Sequence, residues 1–300
     1  MENNPLKIAL VAVLDKFIQV CEANNLRYYM AYGSALGAIR HKGIIPWDDD
    51  IDVQMPREDY EKIQLLPKSV WGDMELTSWK IKSGNHYPFL KLENTHTTII
   101  EQLYPLYVGG IYIDIFPIDN APNDMDVFNQ QITDVCNILD KYYTISVRTG
   151  SQYKGLVNYL KFKFRHFIYM HQHIQDEWEK IALRENDNTN NVFTYYITDG
   201  YHGEKPLPSE WFGEGITCMF EGRNVIIPQN WDSYLKQFYG DYMIPPPMDK
   251  RTGHAFVYVN LDERVKGEEL DKIVQEIKMK TSFKFSVKDE MTYWKAKLHL

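Results

Sequence analysis

Four aspartates fall within five consecutive positions, Asp48, Asp49, Asp50 and Asp52, directly ahead of an apolar run. Carboxylates this crowded repel one another, and a cation is the simplest reason for a fold to gather them. From Asp50 to Met55 acidic or polar residues alternate with apolar ones, which predicts a strand. Its period of two aims Asp50 and Asp52 to one face, with Asp48 sharing their parity and Asp49 pointing away. Ile51 and Val53 then turn to the core. A short acidic run is also commonly a solvated loop, but its place on an apolar strand favours a metal. Oxygen ligands with no His or Cys among them fit Mg²⁺ or Mn²⁺ better than zinc. Such an ion takes the rest of its shell from substrate phosphates and water.

The residues upstream fit the same purpose. Leu6, Leu10, Val13, Leu14, Phe17 and Cys21 recur at helical spacing, predicting a helix over Pro5 to Asn25. Tyr28 to Ala31 reads as a short strand, and Gly33-Ser34 as a turn into a short helix, SALGAIR. Gly33 would let the backbone approach a phosphate. Ser34 would cap the helix, whose free amides face an anion. Arg40, His41 and Lys42 would neutralise pyrophosphate charge or form a solvated basic turn. Further on, Ile111, Ile113 and Ile115 alternate with Tyr112, Asp114 and Phe116, a strand pattern that carries one acid. An unpaired carboxylate there would be costly, so Asp114 is the natural third metal ligand, or else the partner of a basic residue.

Strands are also expected at Met74 to Trp79, Pro88 to Glu93 and Thr97 to Gln102. From Asn123 the texture becomes helical, with helices over Met125 to Ser146 and Lys154 to Glu185. Strand-like pieces return at Val192 to Ile197 and on either side of Glu221-Gly222, followed by helices at Asn230 to Tyr239 and near Gly267 to Lys280, and a short one at the C-terminus. The fold class is mixed α/β. It divides into a core over 1–122, a helical insertion over 123–191, a return to the core over 192–260 and a helical tail over 261–300.

Net charge is −8, which argues against a nucleic-acid partner. The three cysteines are too far apart for a metal knuckle. No signal-like or membrane-spanning run is visible, so a cytoplasmic protein is expected. The stretch Lys161 to His173, KFKFRHFIYMHQH, mixes basic and apolar residues without an acid. It fits peripheral contact with an anionic membrane as well as a helix buried on one face.

Taken together, YGSALGAIRHKGIIPWDDDIDVQM, IDIFPID and FEGRNVIIPQNWDSYLKQFYGDYMIPPP resemble the LicD family of phosphorylcholine transferases. The resemblance covers most of Leu26 to Pro122 and of Cys218 to His254. It implies a nucleotidyltransferase-like fold and transfer of a phospho-alcohol from a CDP-linked donor to a sugar hydroxyl. The acceptor would be a cell-surface glycan such as lipopolysaccharide or teichoic acid, or its lipid-linked precursor. By position, Asp50 and Asp52 match the metal pair, Asp114 the third acid, Asp48 a further acidic position and Gly33-Ser34 the phosphate turn. Asp114 or Asp48 would then act as general base. Arg251 or His254, in the later segment with Glu221, would bind phosphate or position the acceptor. If the donor is CDP-choline, Trp47, Tyr112 and Tyr32 are candidates for an aromatic wall around the trimethylammonium group. CDP-ribitol or CDP-glycerol are rival donors, and a non-catalytic nucleotide-binding scaffold is the rival class.

Overall fold

Asn4 starts the first helix, α1 (Pro5–Ala23), its side chain accepting from the Leu6 amide at 3.0 Å. The apolar stripe Leu10, Val13, Leu14, Phe17 and Cys21 is buried. The helix stops at Ala23, because Asn25 adopts a φ of 53° that no helix accommodates. The computed structural model describes residues 4–82, 85, 87–101, 106–146, 156–170, 173–195, 205–251 and 256–281. It falls into two units, Met1–Arg264 and Val265–Leu300. The second contains α8 (Gly267–Thr281), and the short helix expected at the C-terminus lies outside the described residues.

In the first unit α1 is followed by β1 (Tyr29–Met30), α2 (Tyr32–Arg40), β2 (Asp52–Pro56), α3 (Arg57–Gln64), β3 (Met74–Thr77), β4 (Leu90–Asn94), β5 (Thr98–Glu101), β6 (Tyr107–Gly109) and β7 (Tyr112–Ala121). Three helices come next, α4 (Met125–Ser146), α5 (Leu156–Tyr169) and α6 (Ile174–Ala182). The chain then returns through β8 (Phe193–Tyr195), β9 (Leu207–Pro208), the hairpin β10 (Ile216–Phe220) and β11 (Arg223–Ile227), α7 (Trp231–Tyr239) and β12 (Phe256–Asn260).

The central sheet runs β1-β2-β7-β4-β3, with β8 and β9 added beyond the far end of β7. β2 and β7 are parallel, whereas β7 with β4 and β1 with β2 are antiparallel, so the fold is mixed α/β. Strands β12, β5 and β6 form a smaller sheet. Residues of α1, α2 and α3 bury the central strands in the main core. Helices α4 and α6 build a separate core of Phe128, Ile132, Val135, Ile138, Leu139, Ile174 and Trp178, with Trp79 inserted from the sheet side.

Two expectations change. The helix foreseen over Lys154 to Glu185 is two helices, α5 and α6. On one straight helix Ile174, Trp178 and Ala182 would lie about 120–160° around the axis from Phe162, so both sets could not be buried on one side. All four are buried, and the break makes that compatible. The strand foreseen from Asp50 begins at Asp52. Just before it the Asp48 amide donates back to the Ile45 carbonyl at 2.9 Å, turning the chain out of the ladder.

Candidate active site

The site lies where β2 and β7 run side by side. Their parallel register sets Asp52 opposite Asp114, and the β4–β7 register sets Lys91 opposite the same Asp114. One row across three strands therefore reads Lys91, Asp114, Asp52. Ahead of β2, Asp48, Asp49 and Asp50 each offer a carboxylate oxygen within 4.8 Å of the other two. The strand-parity argument fails for these three, because they precede the ladder. Asp49 belongs to the cluster and does not point away. Asp52, half-buried beside them, has its carboxyl pushed well above the usual carboxylate range. Burial is the largest cause, followed by the negative charges of Asp50, Asp114 and Asp48. Oxygen donors held at this spacing, in a field this negative, fit a hard divalent cation.

Gly33 and Ser34 support the cluster differently from the sequence reading. Both lie inside α2, which starts at Tyr32 with Ala31 as its N-cap and no side-chain cap bond. Ser34 is not the cap. Its hydroxyl is buried and accepts from the Asp52 amide at 2.9 Å, which fixes the first residue of β2. The Tyr32 amide donates to the Tyr234 hydroxyl, and the Ser34 and Ala35 amides both donate to the Ala31 carbonyl. Those donors are therefore engaged within the fold rather than presented to a phosphate. Gly33 is small for another reason. A Cβ there would lie 2.8 Å from Asp48 Oδ2.

Lys91 is the residue the sequence reading missed. It is 1% exposed, and its ammonium donates to Asp114 Oδ1 at 2.6 Å. Its Nζ lies 3.3 Å from the centroid of the Tyr112 ring, 4.0 Å from Tyr87, 5.4 Å from Phe89 and 5.7 Å from Tyr107. The hydroxyls of Tyr87 and Tyr112 both donate to the buried carboxylate of Glu101, and that of Tyr107 donates to Glu93. Tyr112 is thus already the wall of a cage, and the cation inside is the chain's own lysine. The signal was present in the sequence: Lys91 interrupts the apolar run Phe89-Leu90-Lys91-Leu92. Tyr32 is also engaged, its ring edge-on to Phe116 and Phe238 and its hydroxyl accepting from Gln54.

Trp47 gathers the positive charge. The Arg251 guanidinium lies 4.4 Å from its ring centroid and that of Arg40 5.8 Å, while His41 meets it edge-on. Arg40 Nη1 donates to the Tyr242 carbonyl at 2.6 Å, and Arg251 Nε to the Pro246 carbonyl at 2.9 Å. Burial, then the nearby Arg251, pulls the Arg40 guanidinium below its ordinary value, and burial and Arg40 do the same to His41. Lys42 is exposed, with a φ of 59°, and acts through its backbone, its carbonyl accepting from the Glu221 amide. His254 lies outside the described residues. Tyr239, at the end of α7, was also missed. Burial first, then the charges of Asp52, Asp48 and Asp50, raise its hydroxyl, whereas Arg40 lowers it. The acidic cluster and the basic rim are thus both close enough to act on one phenol.

Glu221 holds the loop between them. It stands at the tip of the β10–β11 hairpin, and its carboxylate accepts from the Ile44 amide at 3.0 Å. Its amide donates to the Lys42 carbonyl at 2.9 Å. Its role is to fasten the segment that carries His41, Trp47 and Asp48, through bonds to that segment's backbone.

Residues 25–134 match the family model described as LicD/FKTN/FKRP, nucleotidyltransferase domain. Over 275 residues the chain is 26% identical to the Haemophilus influenzae protein named Lipopolysaccharide cholinephosphotransferase LicD, which spans 83% of this chain and 94% of that one. A stretch of 94 residues is 35% identical to the mouse protein named Ribitol 5-phosphate transferase FKRP, covering 30% of this chain and 19% of that protein. The human protein of the same name is 34% identical over the same length.

Proposed function

From a chain that belongs to the LicD family, we propose a phosphotransferase that moves phosphocholine from CDP-choline to a sugar hydroxyl of a cell-surface glycan or its lipid-linked precursor. The observation that carries this reading is the likeness to the Haemophilus cholinephosphotransferase, which runs through 94% of that protein rather than through one motif. The acidic cluster supports it.

Asp50, Asp52 and Asp114, assisted by Asp48, would hold Mg²⁺ or Mn²⁺. The ion would neutralise the donor pyrophosphate and the departing nucleotide. The residues themselves do the rest. Arg40 and Arg251, braced on Trp47, receive the negative charge of the donor. Lys91 holds Asp114 in place from behind and offsets part of the negative field. Of the two candidates for taking the acceptor's proton, Asp114 already has an oxygen engaged by Lys91 Nζ. Asp48 is left for that task.

CDP-ribitol is the second reading, favoured by the higher identity over the shorter FKRP match. CDP-glycerol would use the same chemistry. A thermal-shift panel of CDP-choline, CDP-ribitol, CDP-glycerol and CTP with Mg²⁺ separates them, followed by a transfer assay with the donor that stabilises most. Stabilisation by CDP-choline above the others is expected. Equal melting with every CDP compound and with none would instead favour a scaffold that does no chemistry.

A further inference from the structure

We infer that α5 seats this protein on an anionic lipid surface. The inner side of the helix is fixed to α4. Phe162 is buried, Arg165 Nη2 donates to Asp140 Oδ2 at 2.7 Å, and His166 Nδ1 lies 3.4 Å from the Thr144 carbonyl oxygen. Phe162 is the one side chain of the helix in the buried class among its described residues. An ordinary surface helix turns its apolar stripe inward and its charges outward. Here the larger apolar stripe faces out. Val157, Leu160, Phe164 and Ile168 follow one another at spacings of three and four residues, and Val157 and Phe164 are 65% and 66% exposed. The exposed Lys161 and Lys163 fall on the two flanks of that stripe.

An apolar stripe edged by lysines matches a helix lying in the interface plane of a bilayer, with its ammonium groups reaching the headgroups. Length agrees: α5 has 14 residues. That is about 21 Å, too short to cross a hydrocarbon layer of roughly 30 Å. None of the described helices is long and apolar enough to span a membrane. Charge selects the kind of surface. The chain as a whole carries −8, yet α5 has Lys161, Lys163, Arg165 and His166 and no acid. Anionic headgroups complement the lysines of this helix despite the negative charge of the chain as a whole. A second copy is a poorer occupant, because two such helices would meet lysine to lysine with no carboxylate on either. The inference does not depend on which donor is used, or on the transfer reading.

The test is flotation of the full chain with vesicles of phosphatidylcholine alone and of phosphatidylcholine mixed with phosphatidylglycerol. The wild-type chain is expected to bind the mixed vesicles and to be released by salt. The pair Lys161→Glu and Lys163→Glu should weaken that binding about tenfold or more. The pair Leu160→Gln and Phe164→Gln should weaken it at least about tenfold even at low salt. These positions are exposed, so melting temperature and circular dichroism should match the wild type. Three results would each overturn the inference: wild-type binding that is absent or indifferent to phosphatidylglycerol, variants that bind as the wild type does, or a concentration-dependent dimer lost in Leu160→Gln with Phe164→Gln, which would assign the face to a second copy.

Discussion

Lys91 and Asp114 stand opposite each other in the β4–β7 ladder and close an ion pair of 2.6 Å. Asp114 in turn stands opposite Asp52 on the next strand. The acidic cluster therefore has a fixed positive charge behind it, held among aromatic rings. This arrangement gives a buried carboxylate a cation partner within the chain itself. It also leaves Asp48, Asp49, Asp50 and Asp52 as the carboxylates nearer the loop, where substrate phosphates would enter.

Lys91→Met should harm both fold and chemistry. The substitution leaves Asp114 buried, with its side chain 9% exposed and the partner gone. Removing one partner of a buried pair typically costs about 3–5 kcal/mol. Chemical denaturation should register a loss of that order, and transfer should fall with it. A variant as stable as the wild type would show that Asp114 is neutral or has another cation in reach.

Gly33→Ala separates site geometry from stability. Its new Cβ would press on Asp48 Oδ2 from 2.8 Å, a side-chain oxygen at the end of a short lever that can swing aside. Helix propensity favours alanine by up to about 1 kcal/mol. Melting temperature should hold or rise, while the carboxylate it displaces weakens Mg²⁺ binding. The check is a Mg²⁺ titration of the thermal shift beside the transfer rate. Wild-type metal dependence would mean that Asp48 is not a ligand.

How much of this could be read beforehand differs by residue, for physical reasons. That Asp52 and Asp114 belong to one site was legible, because two apolar strands each carry an acid, but the parallel register that sets them opposite each other was not. The two aspartates of IDIFPID look alike in sequence but do different work. Asp114 faces the site, whereas Asp119 is fully buried and takes a two-pronged bond from Arg57, 2.7 Å at each oxygen. Five residues apart on one strand they face opposite sides, and the partners of Asp119, Arg57 on α3 and Asn186, are not written in the motif. Asp49 was assigned to the wrong side because alternation presumes a ladder, and the chain at 48–50 has not entered one. Lys91 was passed over because a lysine in an apolar strand finds its partners through the register of β4 on β7, which periodicity does not encode. Ser34 resembled a helix cap because its type suits one, but its bond goes to a neighbouring strand.

Asp50→Asn and Asp52→Asn test the metal assignment through stability as well as rate. Asp52 is raised by burial and by like charges, so its ionised form works against the metal-free fold near neutral pH. Replacing it with a neutral amide removes that repulsion. The metal-free variant should melt at the wild-type temperature or above, yet gain little from Mg²⁺ and transfer nothing. Full transfer by either variant would remove that carboxylate from the proposed ligand set.

Glu221 should be dispensable as a charge and necessary as an acceptor. Glu221→Gln keeps an oxygen for the Ile44 amide, whereas Glu221→Ala leaves that buried amide without it. A buried donor left unsatisfied costs about 1–3 kcal/mol. The loop it fastens carries Trp47 and Asp48, so the alanine variant should also raise KM for the donor more than it lowers kcat. Gly43→Ala attacks the same contact from the other side, since its Cβ would lie 2.3 Å from Glu221 Oε1 and that carboxylate is tied to the Ile44 amide. Denaturant midpoints and steady-state kinetics on the three variants decide the point. If the glutamine variant fails as badly as the alanine, the charge of Glu221 is being used directly, by substrate rather than by the loop.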